Sequence, residues 1–216
     1  VTAHLTPFVP WPQGQVLVLA SRSPRRAELL TVAGIPHEVV LPGDVEERIA
    51  ARLIEDAAHP GAYAEDLAVA KAEDVAARHP GRLVLGADTV VVLDGGILEK
   101  PRDEADARRL LGLLSGRRHT VITSLALVRR GSGTWSEVGH ERTEVDFLEL
   151  QPDDIAAYVR SGEPMDKAGA YGIQGLGALM VRGVAGCYFN VMGLPLARLG
   201  AMLRRCGAAG RPEPDL

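Results

Sequence analysis

The sequence predicts a mixed α/β fold in a single domain, and two observations carry that prediction. In the first half, short apolar runs of strand character alternate with segments of helical spacing. In the middle, long runs are joined by tight turn signals, as in hairpins. Interleaved elements ask for parallel pairing and hairpins for antiparallel pairing, so the sheet is mixed and not purely doubly wound. The 216 residues, 46% of them hydrophobic, supply ample core for one such domain. We expect it to have two lobes flanking a cleft.

The elements follow in order. VLVLA at 16–20 is a buried strand. Ser23 then suits an N-cap and Pro24 a first helical position. Ala27, Leu30 and Gly34 fall at i, i+3 and i+7, so a helix spans 23–34. HEVVL at 37–41 reads as a second strand, followed by an acidic loop at 43–47. Residues 63–79 are Ala-rich, with Tyr63, Leu67 and Ala70 on one face, and predict a helix. RLVLGADTVVVL at 82–93 is a nearly continuous apolar run broken only at Ala87-Asp88-Thr89, which suits a strand buried on both faces. Asp94-Gly95-Gly96 turns it into a hairpin.

Asp103 caps the next helix, whose buried stripe is Ala107, Leu110, Leu111 and Leu114 and whose stop is Ser115-Gly116. Runs 119–129 and 137–149 are two long strands joined by Gly131-Ser132-Gly133. In the second, Val145 and Phe147 oppose Glu144 and Asp146, so one face is wet. A short helix, Pro152–Arg160, precedes a glycine-rich loop at 163–177. Strands near 178–182 and 187–191 and a final helix at 195–205 complete the chain.

A formal net charge of −4 argues against broad binding to nucleic acid or an anionic membrane, while leaving room for a local basic pocket. Aromatic residues are 4% of the chain, too few to stack single-stranded bases. No apolar run reaches membrane-spanning length. Cys187 and Cys206 form no close pair and no metal-ligand pattern, so a reducing cytoplasm is expected. Residues 1–15 read as an irregular, proline-rich leader with no charged signal-peptide start, and residues 207–216 as a tail.

Several groups bear on chemistry, each with a plainer alternative. The start of the 23–34 helix exposes backbone N–H groups and the positive end of the helix dipole, beside Ser21, Ser23, Arg25 and Arg26. That is either an anion site for phosphate or carboxylate, or an ordinary helix start with solvated arginines. Asp88 interrupts an apolar run, where an unpaired carboxylate is costly. It is either a structural cap on backbone N–H groups, or a metal ligand or general base at a strand end. Asp94 is a turn residue. Glu46 and Glu47 form a solvated acidic loop, or one of them joins Asp88 on a divalent cation, since Mg²⁺ needs few carboxylates beside water and phosphate. Lys100 is a turn lysine or points at Asp88, and nothing beside Lys71 demands a partner, which favours a surface lysine. In EPMDKAGAYGIQGLG at 163–177, the glycines permit close approach to a ligand and Asp166, Lys167 and Gln174 offer polar contacts. Its spacing is neither a Walker loop nor a dinucleotide fingerprint. The six histidines are scattered. Together these are parts of a metal-assisted site for a phosphate-bearing small ligand.

LASRSPRRAELL at 19–30, GADTVVVLDGGILEKPRDEADA at 86–107, LSGRRHTVIT at 114–123, SGEPMDKAGAYGIQGLGA at 161–178 and GVAGCYFNVMGLPL at 183–196 together resemble the Maf family, with the blocks in the family's order. The resemblance implies a Maf-like pyrophosphatase domain over 16–206, with the two-lobed, inosine-triphosphatase-like cleft. It implies cleavage of a nucleoside triphosphate between its α and β phosphates with a divalent cation, Mg²⁺ or Mn²⁺. By position, Asp88 matches the proton acceptor and Glu47 an acid that helps hold the metal, with Asp88 beside it. Glu46 is an alternative to Glu47 because that loop varies in length. Ser21, Arg26, Lys71, Lys100, Asp166 and Lys167 match polar cleft residues, with Lys71 and Lys100 offsetting charge that develops on the phosphates. Arg25, Thr89 and Gln174 resemble the specificity positions of the branch acting on dTTP and UTP, and an amide such as Gln174 can both donate to and accept from a uracil edge. A sister branch prefers 7-methyl-GTP, and a purine triphosphate is a further alternative. The family's association with septum formation implies a regulatory role in cell division as another, and a homodimer is compatible with either.

Overall fold

A computed structural model describes residues 15–45, 59–131 and 133–209. Seven strands form one sheet: β1 (Leu17–Ala20), β2 (His37–Val39), β3 (Leu83–Leu93), β4 (Gly96–Leu98), β5 (Arg118–Arg129), β6 (Trp135–Phe147) and β7 (Val181–Ala185). The helices are α1 (Pro24–Val32), α2 (Pro60–Arg78), α3 (Glu104–Leu114), α4 (Pro152–Arg160), α5 (Tyr188–Val191) and α6 (Leu196–Ala209). The strand order is β2-β1-β3-β5-β6-β7, parallel from β2 to β3 and antiparallel from β3 onward, so the sheet is mixed as the sequence predicts.

The edge of β3 away from β5 is shared between two short partners. β1 pairs with Val84–Gly86 and β4 pairs with Val91–Leu93, which leaves the intervening edge of β3, residues 87–90, without a strand partner. The sheet opens there, at the Ala87-Asp88-Thr89 interruption. The β3–β4 turn is a two-residue hairpin in which Asp94 (φ 51°) and Gly95 (φ 81°) both adopt left-handed φ, matching the type I′ turn that strand twist favours.

One face of the sheet is covered by α2. Its Ala68, Ala72, Val75 and Ala76 pack on Val18, Val84 and Ala126. The approach is so close that a Cβ on Gly86 would lie 2.1 Å from the Ala68 carbonyl oxygen, so only glycine fits that strand position. The other face carries two separate apolar clusters. One joins β1, α1 and α6 through Leu19, Leu30, Leu85 and Leu199. The second joins α3, α4 and the 163–180 segment through Leu111, Phe147, Tyr158 and Tyr171. These clusters are the cores of the two expected lobes. The predicted α3 stripe is buried throughout, and the Asp103 side chain accepts the Asp106 N–H at 2.7 Å as a cap.

The structure corrects the sequence reading in places. Residues 188–191 form a single helical turn, α5, instead of a strand. Its Asn190 is fully buried, with its side-chain oxygen accepting from the Thr123 N–H (3.1 Å) and its Nδ2 donating to the Val121 carbonyl (2.9 Å). Those tertiary bonds outweigh the strand propensity of the apolar run. The strand expected near 178 begins only at Val181, because residues 175–180 coil into a 3₁₀ helix. The 163–177 segment holds further 3₁₀ turns, Glu163–Asp166 and Ala168–Ala170. Glu46, Glu47 and the leader before residue 15 lie outside the described residues.

Candidate active site

A cleft of about 440 Å³ opens where β3 has no strand partner. It brings together Ser21, Arg25, Arg26, Lys71, Asp88, Thr89, Lys100, Asp166, Lys167 and Gln174, and Ser23 of the helix start lines it as well. The β1–α1 turn forms one wall, the 163–175 segment forms the other, and β3 forms the floor.

Asp88 and Lys71 form the buried pair of the floor. Lys71 Nζ lies 2.6 Å from Asp88 Oδ1, with side chains 4% and 14% exposed. The surface-lysine reading of Lys71 is therefore overturned. The α2 face that carries Lys71 is pressed onto β3 by the Gly86 contact, which brings Lys71 to Asp88, 17 residues away in sequence. A buried ion pair contributes little net stability, but removing one partner strands the other charge, which costs several kcal/mol, on the order of 3–5. The pairing fixes the orientation of the Asp88 carboxylate.

Arg26 is 8% exposed and works inside the wall. Its Nε donates to the Gly193 carbonyl (2.9 Å), its Nη1 to Ser21 Oγ (3.1 Å) and the Ala87 carbonyl (2.9 Å), and its Nη2 to Thr89 Oγ1 (3.1 Å). The Ala87 carbonyl needs this donor because the edge of β3 is unpaired there. Thr123 Oγ1 spends its proton on the Asn190 carbonyl (2.8 Å), so in the 2.9 Å contact between Thr89 and Thr123 the donor is Thr89. Arg26, Thr89, Thr123 and Asn190 thus form a directed chain that ties the two lobes together. The Thr89 hydroxyl proton is committed within it.

At the mouth, Arg25 Nη1 lies 3.3 Å from Asp166 Oδ2, and Lys167 Nζ lies 2.6 Å from Asp166 Oδ1. Partial burial opposes ionisation of Asp166, but the Lys167 hydrogen bond and the Arg25 charge outweigh it and hold the carboxyl below its ordinary range. Lys100 is exposed at the end of the β4 segment, on the cleft rim. Among the described residues, no three His, Cys, Asp or Glu side chains cluster as a metal site. Asp88 has given only Oδ1 to Lys71. One carboxylate oxygen with water and substrate phosphates is a donor set that Mg²⁺ accepts, so the residues present fit such an ion.

The sequence reading missed two groups of residues. Glu163 lines the cleft and accepts hydrogen bonds from the Tyr158 hydroxyl (2.9 Å) and the N–H groups of Leu176 (3.0 Å) and Gly177 (3.1 Å). It is the first residue of the glycine-rich block, but nothing in its spacing marks it. His119 is 2% exposed under the second lobe, with Nε2 2.7 Å from the hydroxyl of Tyr171, another cleft residue. Burial pushes its imidazole down to about 4, against a smaller opposing effect of Asp146.

A mixed α/β sheet that opens into a cleft with cations on both walls and a paired carboxylate on its floor defines a binding protein for a polyanionic small ligand. The chain belongs to the Maf-like protein family, which it matches over residues 16–206. It is 50% identical over 193 residues to the dTTP/UTP pyrophosphatase of Symbiobacterium thermophilum, covering 89% of this chain and 95% of that one. With the dTTP/UTP pyrophosphatase of Moorella thermoacetica the identity is 52% over 187 residues, covering 87% and 93%. The solved structure of a HAM1 protein from Coxiella burnetii aligns with a TM-score of 0.47 and 17% identity over 88% of this chain and 99% of that one. Among the described residues, no helix is long and apolar enough to cross a membrane.

Proposed function

We propose that this protein is a nucleoside triphosphate pyrophosphatase that hydrolyses dTTP and UTP to the monophosphate and pyrophosphate. The carrying observation is the convergence of Arg25, Lys100 and Lys167 around the buried Lys71–Asp88 pair in one cleft. Its relatives' name, dTTP/UTP pyrophosphatase, supports the same reading.

The triphosphate lies along the cleft, with its charge met by Arg25, Lys167, Lys100 and the N-terminal end of α1. Binding draws Arg25 and Lys167 away from Asp166, which is then repelled by the phosphates and turns to solvent. Asp88 accepts the proton of the attacking water, and Lys71 holds the carboxylate in place for that transfer. The water oxygen bonds to the α-phosphorus as the phosphoanhydride between the α and β phosphates breaks, and pyrophosphate carries away the bonding electron pair. Asp88, and Glu47 by the family resemblance, would hold a divalent cation, Mg²⁺ or Mn²⁺, together with the phosphates, and that ion would supply charge neutralisation at the phosphate oxygens. Gln174 reads the pyrimidine edge. Arg26, which the resemblance places among the substrate-binding residues, acts here as a positioning residue of the wall, and Thr89 acts through it.

Pyrophosphate release with Mg²⁺ or Mn²⁺ from dTTP, UTP, CTP, GTP, ITP and 7-methyl-GTP tests this reading. Fast turnover of dTTP and UTP alone is the expected result. Turnover of 7-methyl-GTP or of purine triphosphates would contradict the pyrimidine assignment. No turnover by folded protein would replace the enzyme with a nucleotide-binding regulator.

A further inference from the structure

The segment that carries Gln174 is a tight loop held from beneath by two side chains. Tyr158, near the end of α4, is 5% exposed and accepts the Gly172 N–H at its hydroxyl (3.1 Å). That hydroxyl donates in turn to Glu163 Oε1 (2.9 Å). The carboxylate also receives the Gly177 N–H on Oε1 (3.1 Å) and the Leu176 N–H on Oε2 (3.0 Å). Both ends of the loop, Gly172 and Leu176–Gly177, are therefore pinned to one Tyr158–Glu163 unit. Ile173 is buried, and Gln174 is left exposed at the apex facing the cleft.

The fit leaves no slack. Gly175 has φ 66°, and a Cβ there would sit 2.7 Å from Glu163 Oε2, while a Cβ on Gly177 would sit 2.1 Å from the Gly172 carbonyl oxygen. The backbone of Glu163 serves a different partner, since its carbonyl accepts a hydrogen bond from Lys167 Nζ. Phosphate-side and base-side anchoring thus diverge at one residue, the first through the main chain and the second through the carboxylate.

We propose that Glu163, with Tyr158, is a specificity-positioning residue that sets where Gln174 meets the nucleobase. The inference rests on the proposed pyrimidine triphosphate substrate. A carboxylate suits this role because it is acceptor-only and can receive all three donors at once. In Glu163→Gln, the amide nitrogen presents hydrogens toward an N–H or O–H that already needs an acceptor. The loop then loses a pin while the Glu163 carbonyl keeps its hold on Lys167. Tyr158→Phe removes the bond to Gly172 and one donor to Glu163 without altering ring packing.

The test is kcat/KM for dTTP, UTP and CTP in wild type, Glu163→Gln and Tyr158→Phe. It is paired with the inhibition constant of inorganic triphosphate, which has no base, and with thermal melting to show that each variant is folded. We expect the dTTP-to-CTP preference to fall about tenfold in Glu163→Gln, and less in Tyr158→Phe, as hydrogen-bond readout of the base loosens. We expect triphosphate inhibition to move by less than about twofold, the shift left when phosphate contacts are intact. A preference unchanged in both variants, beside a wild type that discriminates, overturns this inference and leaves the function standing. An equal loss on every nucleotide and on inorganic triphosphate also overturns it, because that is what a merely structural role produces. A folded wild type with no preference for dTTP and UTP overturns the functional reading and this inference together.

Discussion

Arg25 and Arg26 stand side by side in the first turn of α1. Arg26 is buried and gives its guanidinium to Ser21, Thr89 and the carbonyls of Ala87 and Gly193. Arg25 reaches into the mouth of the cleft, to the exposed Asp166, which also pairs with Lys167. The same contrast separates the whole floor from the rim. On the floor, Lys71–Asp88 and the Arg26–Thr89–Thr123–Asn190 chain satisfy buried polar groups with fixed partners. At the rim, Arg25 and Lys167 meet the solvent-exposed carboxylate of Asp166, in pairs of a kind that contributes about 0–1 kcal/mol and that a stronger anion can displace, while Lys167 keeps its bond to the Glu163 carbonyl. The difference separates geometry from recognition: under the proposed function, the floor would fix where the chemistry happens and the rim would yield to the ligand.

Substitutions on either side of that line break or sharpen the comparison. The largest effect falls on the floor. Asp88→Asn should lower kcat by about 10³-fold, within the range expected for losing a general base, with the fold retained but less stable because Lys71 loses its charged partner. Near-wild-type turnover would remove Asp88 from that role. The two arginines should then part company. Arg26→Ala leaves the Gly193 carbonyl and two hydroxyls without their charged donor, and the Ala87 carbonyl with only the longer Lys71 bond, and should destabilise by about 3 kcal/mol in urea unfolding. Arg25→Ala should stay within about 0.5 kcal/mol of wild type while raising KM for dTTP about tenfold. Equal destabilisation by both would erase the distinction.

The buried lobe also predicts a pH dependence. Burial depresses the His119 pKa to about 4, from an ordinary value near 6.5, so the unfolded chain binds the proton more readily than the native one. Its contribution is fully present above about pH 6.5 and is lost as pH falls toward about 4, amounting to about 3 kcal/mol across that window. Unfolding curves at stepped pH should show the loss. His119→Gln keeps a polar partner for the Tyr171 hydroxyl and should flatten the curve over that range; an unchanged slope would assign the acid sensitivity elsewhere. The smallest effect belongs to the rim. Gln174→Ala should change nucleotide preference several-fold while moving triphosphate affinity by less than about twofold. A uniform loss on every nucleotide would argue against base reading by that amide.

What was legible in the sequence follows the range of the interactions. Asp103 capping α3, the apolar stripe of that helix and the Asp94-Gly95 turn are settled within a few residues, and each stands where the pattern puts it. Asp88 was visible as a polar break in an apolar strand, because burying a carboxylate demands a reason. Lys71 was not visible from its own surroundings and entered only through the family resemblance, because its burial depends on α2 closing onto Gly86, a contact between elements. The roles of Arg26 and Arg25 differ by one position in a helix start, and only the tertiary setting of Ala87 and Gly193 assigns them. The α5 turn is too short for periodicity to reveal and is held by Asn190 reaching β5. Glu163 and Tyr158 lack any motif spacing because their partners are main-chain N–H groups of a loop.

The most direct test of the central claim is the identity of the products formed from dTTP with Mg²⁺ by wild type and by Asp88→Asn. Chromatography should show dTMP and pyrophosphate in equal amounts from the wild type, and almost none from the variant over the same interval. Formation of dTDP and phosphate, or an undiminished yield of dTMP from Asp88→Asn, would contradict the account.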